Sequence, residues 1–160
     1  MSLKVYIETT IPSAYHETRR DTDSVFRRNH TREWWDHYAA HYELVTSEAV
    51  LQELRRPSYP AAKRTVCLAL LEAVSLVPTT NSVIGAAETY AREFVMPCPP
   101  SLDAMHLALA SCHGCDILLT WNCDHLANAN KLGHIRRVNR LLHLAVPLLI
   151  TPLQLMKGEA

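Results

Sequence analysis

The chain predicts an α/β fold on a parallel sheet of about five short strands, and three observations carry that expectation. Short apolar or β-branched runs alternate with longer stretches whose apolar residues recur near helical spacing, the order of a parallel sheet with right-handed crossovers. The run from Asp116 to Thr120 is continuously apolar in its interior, as expected of a strand buried on both faces. At 160 residues the chain is read as one domain, 1–160, with little room for a second core.

The elements follow in order. Leu3 to Ile7 is strand one, and Pro12 favours a helix start or turn. From about Asp23 to Tyr42 the sequence is polar and free of glycine, with Phe26, Trp34, Trp35, Tyr38 and Tyr42 near helical spacing and Asp23 or Ser24 as N-cap. Glu43 to Thr46 is a second strand. Ser47 caps a helix through Glu48 to Arg55, which Pro57 stops. Residues 60–73 form a further apolar-periodic helix, and Val74 to Val77 a third strand ended by Pro78.

Asn81 caps a helix over roughly 82–95, and Pro97-Cys98-Pro99-Pro100 is a stiff connector. Ser101 caps a helix over 102–113 that Gly114 ends. After the strand at Asp116 to Thr120, a helical stretch runs from about Asp124 to Leu142 with Gly133 as its weak point. Val146 to Ile150 is the last strand, and Pro152 opens a short terminal helix. No internal repeat or low-complexity tract interrupts the pattern.

Composition bounds the function. With 48% apolar residues, a chain of this size buries roughly 70% of its unfolded surface. Lys plus Arg and Asp plus Glu number 16 each, so no overall field draws in a nucleic acid, and any such contact comes from local patches. No apolar run approaches the ~20 residues that span a bilayer. Glu8 ends the first apolar run too soon for a signal peptide, which predicts a cytoplasmic protein without a membrane partner. Five cysteines, an odd number, read as reduced thiols.

Four distant segments each place an acidic or amide side chain where a strand ends or a helix begins. They carry Glu8, Glu53, Asp103, and Asn122 with Asp124. The carboxyl ends of parallel strands converge on one crevice, where ligands sit. Carboxylates gathered there repel one another unless a divalent cation joins them, so the pattern reads as a Mg²⁺ or Mn²⁺ site suited to cutting phosphodiesters. Each residue also has a plain structural role. Asp103 suits the first turn of a helix, Asp124 an N-cap, and Glu53 a solvated face. Glu8 resists such a reading, because a carboxylate directly after a buried strand is costly unless paired or metal-bound.

The residues Val5-Tyr6-Ile7-Glu8-Thr9-Thr10, the Ser47-x-x-Val50-x-x-Glu53-Leu54 segment, the Asp103-Ala104-x-His106-x-Ala108-x-Ala110 helix and the Leu118-Leu119-Thr120-Trp121-Asn122-x-Asp124-His125 turn together resemble the PIN domain, and the likeness extends to the closing Leu149-Ile150-Thr151-Pro152. Many members of that family are VapC-type toxins of bacterial toxin–antitoxin pairs. The resemblance implies a three-layer α/β/α sandwich and a Mg²⁺- or Mn²⁺-dependent ribonuclease site. It further implies an RNA substrate, a small protein antitoxin and a homodimer.

Carried over by position, Glu8 takes the first acidic place, where aspartate is commoner, Glu53 the second and Asp103 the third. The family's Thr-x-Asp becomes Thr120-Trp121-Asn122, which puts an amide at the fourth place, and Asp124 stands two residues on to take over. An amide binds a hard cation through its carbonyl oxygen more weakly than a carboxylate does. The resemblance assigns Glu8 and Asp103 as direct ligands and Glu53 as a ligand or a group that orients water. Thr9, Thr10, Ser47, Thr120 and Asn122 would then orient ligands or substrate. The rival reading is a non-catalytic PIN-fold module that binds RNA or protein, with Asn122 marking a decayed metal site.

Other motifs compete. Cys112-His113-Gly114-Cys115 has the spacing of a zinc or redox pair, but it lacks a second pair and lies at the C-terminal end of its helix, so it reads as small buried thiols. His106, three residues after Asp103, is either a substrate contact and proton carrier or a packed histidine; His125 belongs to the crevice rim. The pairs Arg19-Arg20, Arg27-Arg28, Arg55-Arg56 and Arg136-Arg137, with Lys131 and Arg140 flanking the last, either grip RNA phosphates or form solvated faces. Trp34, Trp35 and Tyr38 either stack on bases or fill a core or interface.

Overall fold

Val5, Tyr6 and Ile7 are fully buried although successive side chains of a strand point to opposite faces, so the first strand is covered on both sides. The structure, a computed structural model, describes residues 2–96 and 101–157. Strand β1 (Lys4–Ile7) leads into α1 (Thr10–Tyr15), α2 (Thr22–His37) and a 3-10 turn at Ala39–His41. Then come β2 (Glu43–Ser47), α3 (Glu48–Leu54), α4 (Ala61–Leu71), β3 (Ser75–Val77) and α5 (Asn81–Arg92). The second half holds α6 (Leu102–Cys112), β4 (Ile117–Leu119), α7 (Ala129–Leu141), β5 (Leu148–Ile150) and α8 (Pro152–Lys157).

All five strands are parallel, in the order β3-β2-β1-β4-β5. Tyr6 lies opposite Val45 on one side and Leu118 on the other. Strands β1, β2 and β3 progress outward one way and β4 and β5 the other, so the topological switch point falls between β1 and β4. That is where an open parallel sheet offers a crevice to ligands. Helix α1 packs on α2 and α4, and α5 on α6, which completes the α/β sandwich that the alternating sequence predicts.

The core runs through the central strands. Ile7, Leu118 and Leu119 are all 0% exposed, and Leu107 and Leu109 of α6 are as fully buried. Burying each such side chain contributes roughly 1.5–3 kcal/mol. Truncating Leu118 to alanine would cost about 2–5 kcal/mol, because its close-packed neighbours cannot fully collapse into the space left behind.

Several expected boundaries shift for identifiable reasons. Asp21, rather than Asp23 or Ser24, caps α2 by accepting from the Ser24 amide at 3.1 Å. The predicted single helix to Tyr42 ends at His37 and tightens into the 3-10 turn. Thr80, one residue before the expected Asn81, caps α5, which stops at Arg92. Ser47 occupies the N-cap position of α3, yet its hydroxyl pairs with Tyr6 instead of the helix.

The largest shift follows β4. The helix expected from about Asp124 begins at Ala129, since the Asn122 carbonyl accepts from the amides of both Leu126 and Ala127 and closes a turn. Asn128 then caps α7 through the Asn130 amide, and the helix passes through Gly133 unbroken. Two predictions hold as made: Ser101 caps α6 through the Ala104 amide, and Gly114 ends it at φ 64°, a conformation that disfavours side chains with a Cβ. The proline-rich connector at 97–100 lies outside the described residues.

Candidate metal centre

Glu8 leaves β1 at its carboxyl end, and its amide still donates to the Leu119 carbonyl of β4 at 3.3 Å. This places the side chain at the switch point, where it is 3% exposed. The Glu8 carboxylate accepts from the hydroxyls of Thr10 (2.5 Å) and Thr120 (2.6 Å) and from the Thr10 amide (3.2 Å). None of these partners is cationic. Burial raises the Glu8 carboxyl above its ordinary value, and the charge of His106 and the two threonine hydroxyls offset that only in part.

Glu53 comes from α3, the helix after β2. Its Oε1 accepts from Thr9 Oγ1 at 2.8 Å and from His106 Nε2 at 2.5 Å. Burial pushes its carboxyl up, but the hydrogen bond and charge of His106, aided by Thr9, outweigh that and leave it below the usual range. His106, on α6, is 1% exposed. Its Nδ1 pairs with the Tyr6 hydroxyl at 2.8 Å, and that hydroxyl pairs with Ser47 Oγ at 2.7 Å. Burial lowers the His106 value, but hydrogen bonding to Glu53 and the charges of Glu8, Glu53 and Asp103 raise it further, so the net direction is upward.

Asp103 stands in the first turn of α6 and accepts from Asn122 Nδ2 at 3.0 Å. The other end of that amide accepts from the His125 backbone amide at 3.0 Å, and the Asn122 backbone amide donates to Thr120 Oγ1 at 2.9 Å. Both ends of the Asn122 side chain are therefore engaged. A carboxylate at this position has no hydrogen to offer Asp103 and would repel it.

The crevice thus brings together Glu8, Thr9, Thr10, Glu53, His106 and Thr120, with Asp103 joined through Asn122. Ser47 reaches the group only through Tyr6. Asp124 is exposed, and its contact is through its carbonyl oxygen, which accepts from Asn128 Nδ2 at 3.0 Å. The His125 ring faces Lys131 Nζ at 3.3 Å, while that ammonium also donates to the Val95 carbonyl. Cys112 and Cys115 are free thiols, and burial pushes Cys115 up to about 11.

Tyr6 is the residue that sequence reading passes over, since it looks like one more core residue of strand one. Its position two residues before Glu8, on the same side of an extended run, is the signal that points to it. Ser13 and Tyr59 are also missed, whereas Arg56 belongs to one of the arginine pairs read as either gripping RNA phosphates or forming a solvated face. With Glu8, Thr10 and Glu53 they line a cavity of about 320 Å³.

Among the described residues, no three His, Cys, Asp or Glu side chains are gathered closely enough to clasp an ion as they stand. Each carboxylate is turned to a partner of its own: Glu8 to hydroxyls, Glu53 to His106, Asp103 to Asn122. The donor set is nonetheless hard oxygen throughout, and Glu8 is a buried carboxylate whose bonded partners are all neutral. Such a set fits a hard divalent cation better than a soft one.

No curated protein matches the chain. The family model described as PIN domain matches residues 5–131, from β1 into the start of α7. That span contains Glu8, Glu53, Asp103 and Asn122, and the chain belongs to the PIN domain family.

Proposed function

We propose that this PIN domain is a metal-dependent endoribonuclease that hydrolyses RNA phosphodiester bonds. PIN domains are in general nucleases that use divalent metals and bind RNA. The observation that carries the reading for this chain is Glu8: a carboxylate 3% exposed at the switch point, bonded only to hydroxyls and an amide. Burying such a charge is costly, and a cation is the partner that makes it favourable.

Glu8 and Asp103 would hold the ion, with Glu53 completing the donor set or orienting water, and Mg²⁺ or Mn²⁺ suits these oxygens. When bound, the ion supplies charge neutralisation at the phosphate and a more acidic water. The protein's own part is positional. Thr10 and Thr120 aim Glu8; Tyr6 and Glu53 fix the His106 ring between them. Arg56 lines the same cavity and would supply a guanidinium to the phosphate being cut.

We extend the proposal to membership in a type II toxin–antitoxin pair, with a small protein antitoxin, a homodimer and a cytoplasmic site of action, on the support of the motif resemblance alone. Exposed Phe94 (83%), Leu141 (61%) and Leu148 (59%) offer apolar surface that a protein partner would cover. No helix among the described residues is long and apolar enough to cross a membrane.

The second reading, a non-catalytic RNA- or protein-binding module, draws support from Asn122. Its amide satisfies Asp103 without any ion. Cleavage of a mixed RNA pool in Mn²⁺, Mg²⁺ or EDTA decides between them, with Glu8→Gln and Asp103→Asn run alongside. Metal-dependent cleavage absent from both variants establishes the nuclease. Equal behaviour of all three proteins supports the binding module.

A further inference from the structure

Three cavities adjoin one another around α1. The site cavity, about 320 Å³, shares Thr10 and Ser13 with a second of about 140 Å³ lined by Glu17, Arg19, Arg27 and Trp121. The second shares Glu17 and Arg19 with a third of about 570 Å³, which adds His16, Arg32 and Lys63. Pro60 belongs to both the third and the first. The three cavities thus neighbour one another from Glu8 along α1, a groove in three parts.

Its walls carry more positive than negative charge, and the cations are held in place. Glu17 is buried, and one carboxylate serves two cations. It accepts from Arg19 Nε and Nη2 at 3.1 and 3.0 Å, and Lys63 Nζ lies 3.5 Å away. Arg19 nevertheless remains 73% exposed, so its guanidinium keeps donors for another anion. Arg27 lies over the Trp121 ring at 5.5 Å and donates to the Trp121 carbonyl at 3.3 Å, with Asp23 at 3.4 Å as its exposed counter-ion. Arg32 is held by the Tyr15 carbonyl at 2.8 Å. Beyond the site cavity, in the second and third, Arg19, Arg27, Arg32 and Lys63 thus outnumber Glu17 and Asp23.

We propose that this groove is the substrate path: a single strand of RNA lies along α1, its phosphates next to the cut held first by Arg27 and Arg19 and then by Lys63 and Arg32. The path rests on the ribonuclease reading of the Glu8 site. A row of separated, pre-positioned cations matches a repeating anion rather than a compact one. The proposed strand is single, since a flexible backbone bends toward the 3% exposed Glu8 more readily than a stiff duplex does. Arg27 and Arg19 are positioning residues here; they bind the chain and leave the bond-breaking atoms to the crevice.

Binding is measured by fluorescence anisotropy of a labelled single-stranded oligouridylate in EDTA, across a series of KCl concentrations. Arg19→Gln and Arg27→Gln each weaken binding several-fold and reduce the salt slope by about 0.7. Arg27→Lys keeps the slope, which separates charge from packing against Trp121. Arg92→Gln, exposed on α5 and outside all three cavities, controls for net charge and leaves the affinity unchanged. Melting curves exclude unfolded variants.

The path is overturned if Arg92→Gln loses as much as the groove variants, or if duplex RNA binds as tightly as the single strand. It is also overturned if the groove variants lose polyglutamate and not RNA, which would make the groove a seat for an acidic protein. Cleavage in Mn²⁺ is read separately. A wild type that binds through the groove without cutting refutes the nuclease and leaves the groove as an RNA-binding surface, no longer a substrate path.

Discussion

His106 Nε2 lies 2.5 Å from Glu53 Oε1, which sets an imidazole rather than a second carboxylate against the middle of the acidic crevice. The ring is anchored from behind by Tyr6, whose hydroxyl spans His106 and Ser47. Helix α6, strand β1 and helix α3 meet through this chain of bonds.

Breaking that chain should be costly. His106→Ala leaves the Tyr6 hydroxyl and the Glu53 carboxylate short of a partner, and a loss of about 3 kcal/mol in urea unfolding is expected. The pH dependence has a defined sign. A histidine raised in the folded state contributes fully below its ordinary 6.5, and that contribution fades as pH climbs through the raised value. The gap between wild type and His106→Ala therefore narrows on the alkaline side. A gap independent of pH would show that the ring stays neutral.

Glu8→Gln tests the proposed cation site at its source. The Glu8 carboxyl is raised by burial, so between its ordinary value of 4.5 and the raised one the folded state holds more protons than the unfolded. In EDTA the stability of the wild type falls as pH rises through that window, and the glutamine variant does not follow. Added Mn²⁺ raises the wild-type melting temperature and leaves the variant unmoved. An equal shift in both proteins would place the ion elsewhere.

Asn122→Asp restores a carboxylate at the fourth acidic position and removes the amide hydrogen that Asp103 accepts. In EDTA this variant is expected to be about 1–2 kcal/mol less stable, from the lost hydrogen bond and the new repulsion. In millimolar Mn²⁺ it gains more in melting temperature than the wild type, and it cuts RNA faster. A metal-induced shift no larger than that of the wild type would mean that Asn122 stands outside the ion's reach.

Glu17 governs the acid limb. The Arg19 side-chain bond above all, with the Arg19 amide and Lys63, lowers its carboxyl to about 2 against the opposing effect of burial. Its contribution is present above the ordinary 4.5 and disappears as pH falls towards about 2. Glu17→Gln is thus less stable than wild type at neutral pH, and the difference shrinks through pH ~3 and nearly closes only at about pH 2. Parallel urea curves at neutral pH and at about pH 2 check this, and an unchanged difference would assign the loss to packing instead of charge.

Part of this protein is legible along the chain. Apolar runs of strand length and punctuating Ser101 and Gly114 mark the alternation that becomes the parallel sheet, because backbone propensity and burial act over a few neighbouring residues. Glu8, Glu53 and Asp103 are visible for the same reason: each breaks the apolar pattern where an element ends or begins. The turn over 122–128 escapes notice, since Asn122 closes it through its backbone carbonyl and composition does not distinguish that from a helix start.

The pairings belong to tertiary structure. Tyr6 meets Ser47 across 41 residues and His106 across 100, and Thr120 reaches Glu8 across 112. Which carboxylate takes the histidine, which takes the amide and which keeps only neutral partners depends on the order β3-β2-β1-β4-β5, which carries three strand ends to one crevice. Local sequence sets the chemical kinds of side chain available. Strand order sets their distances, and electrostatic coupling depends on distance.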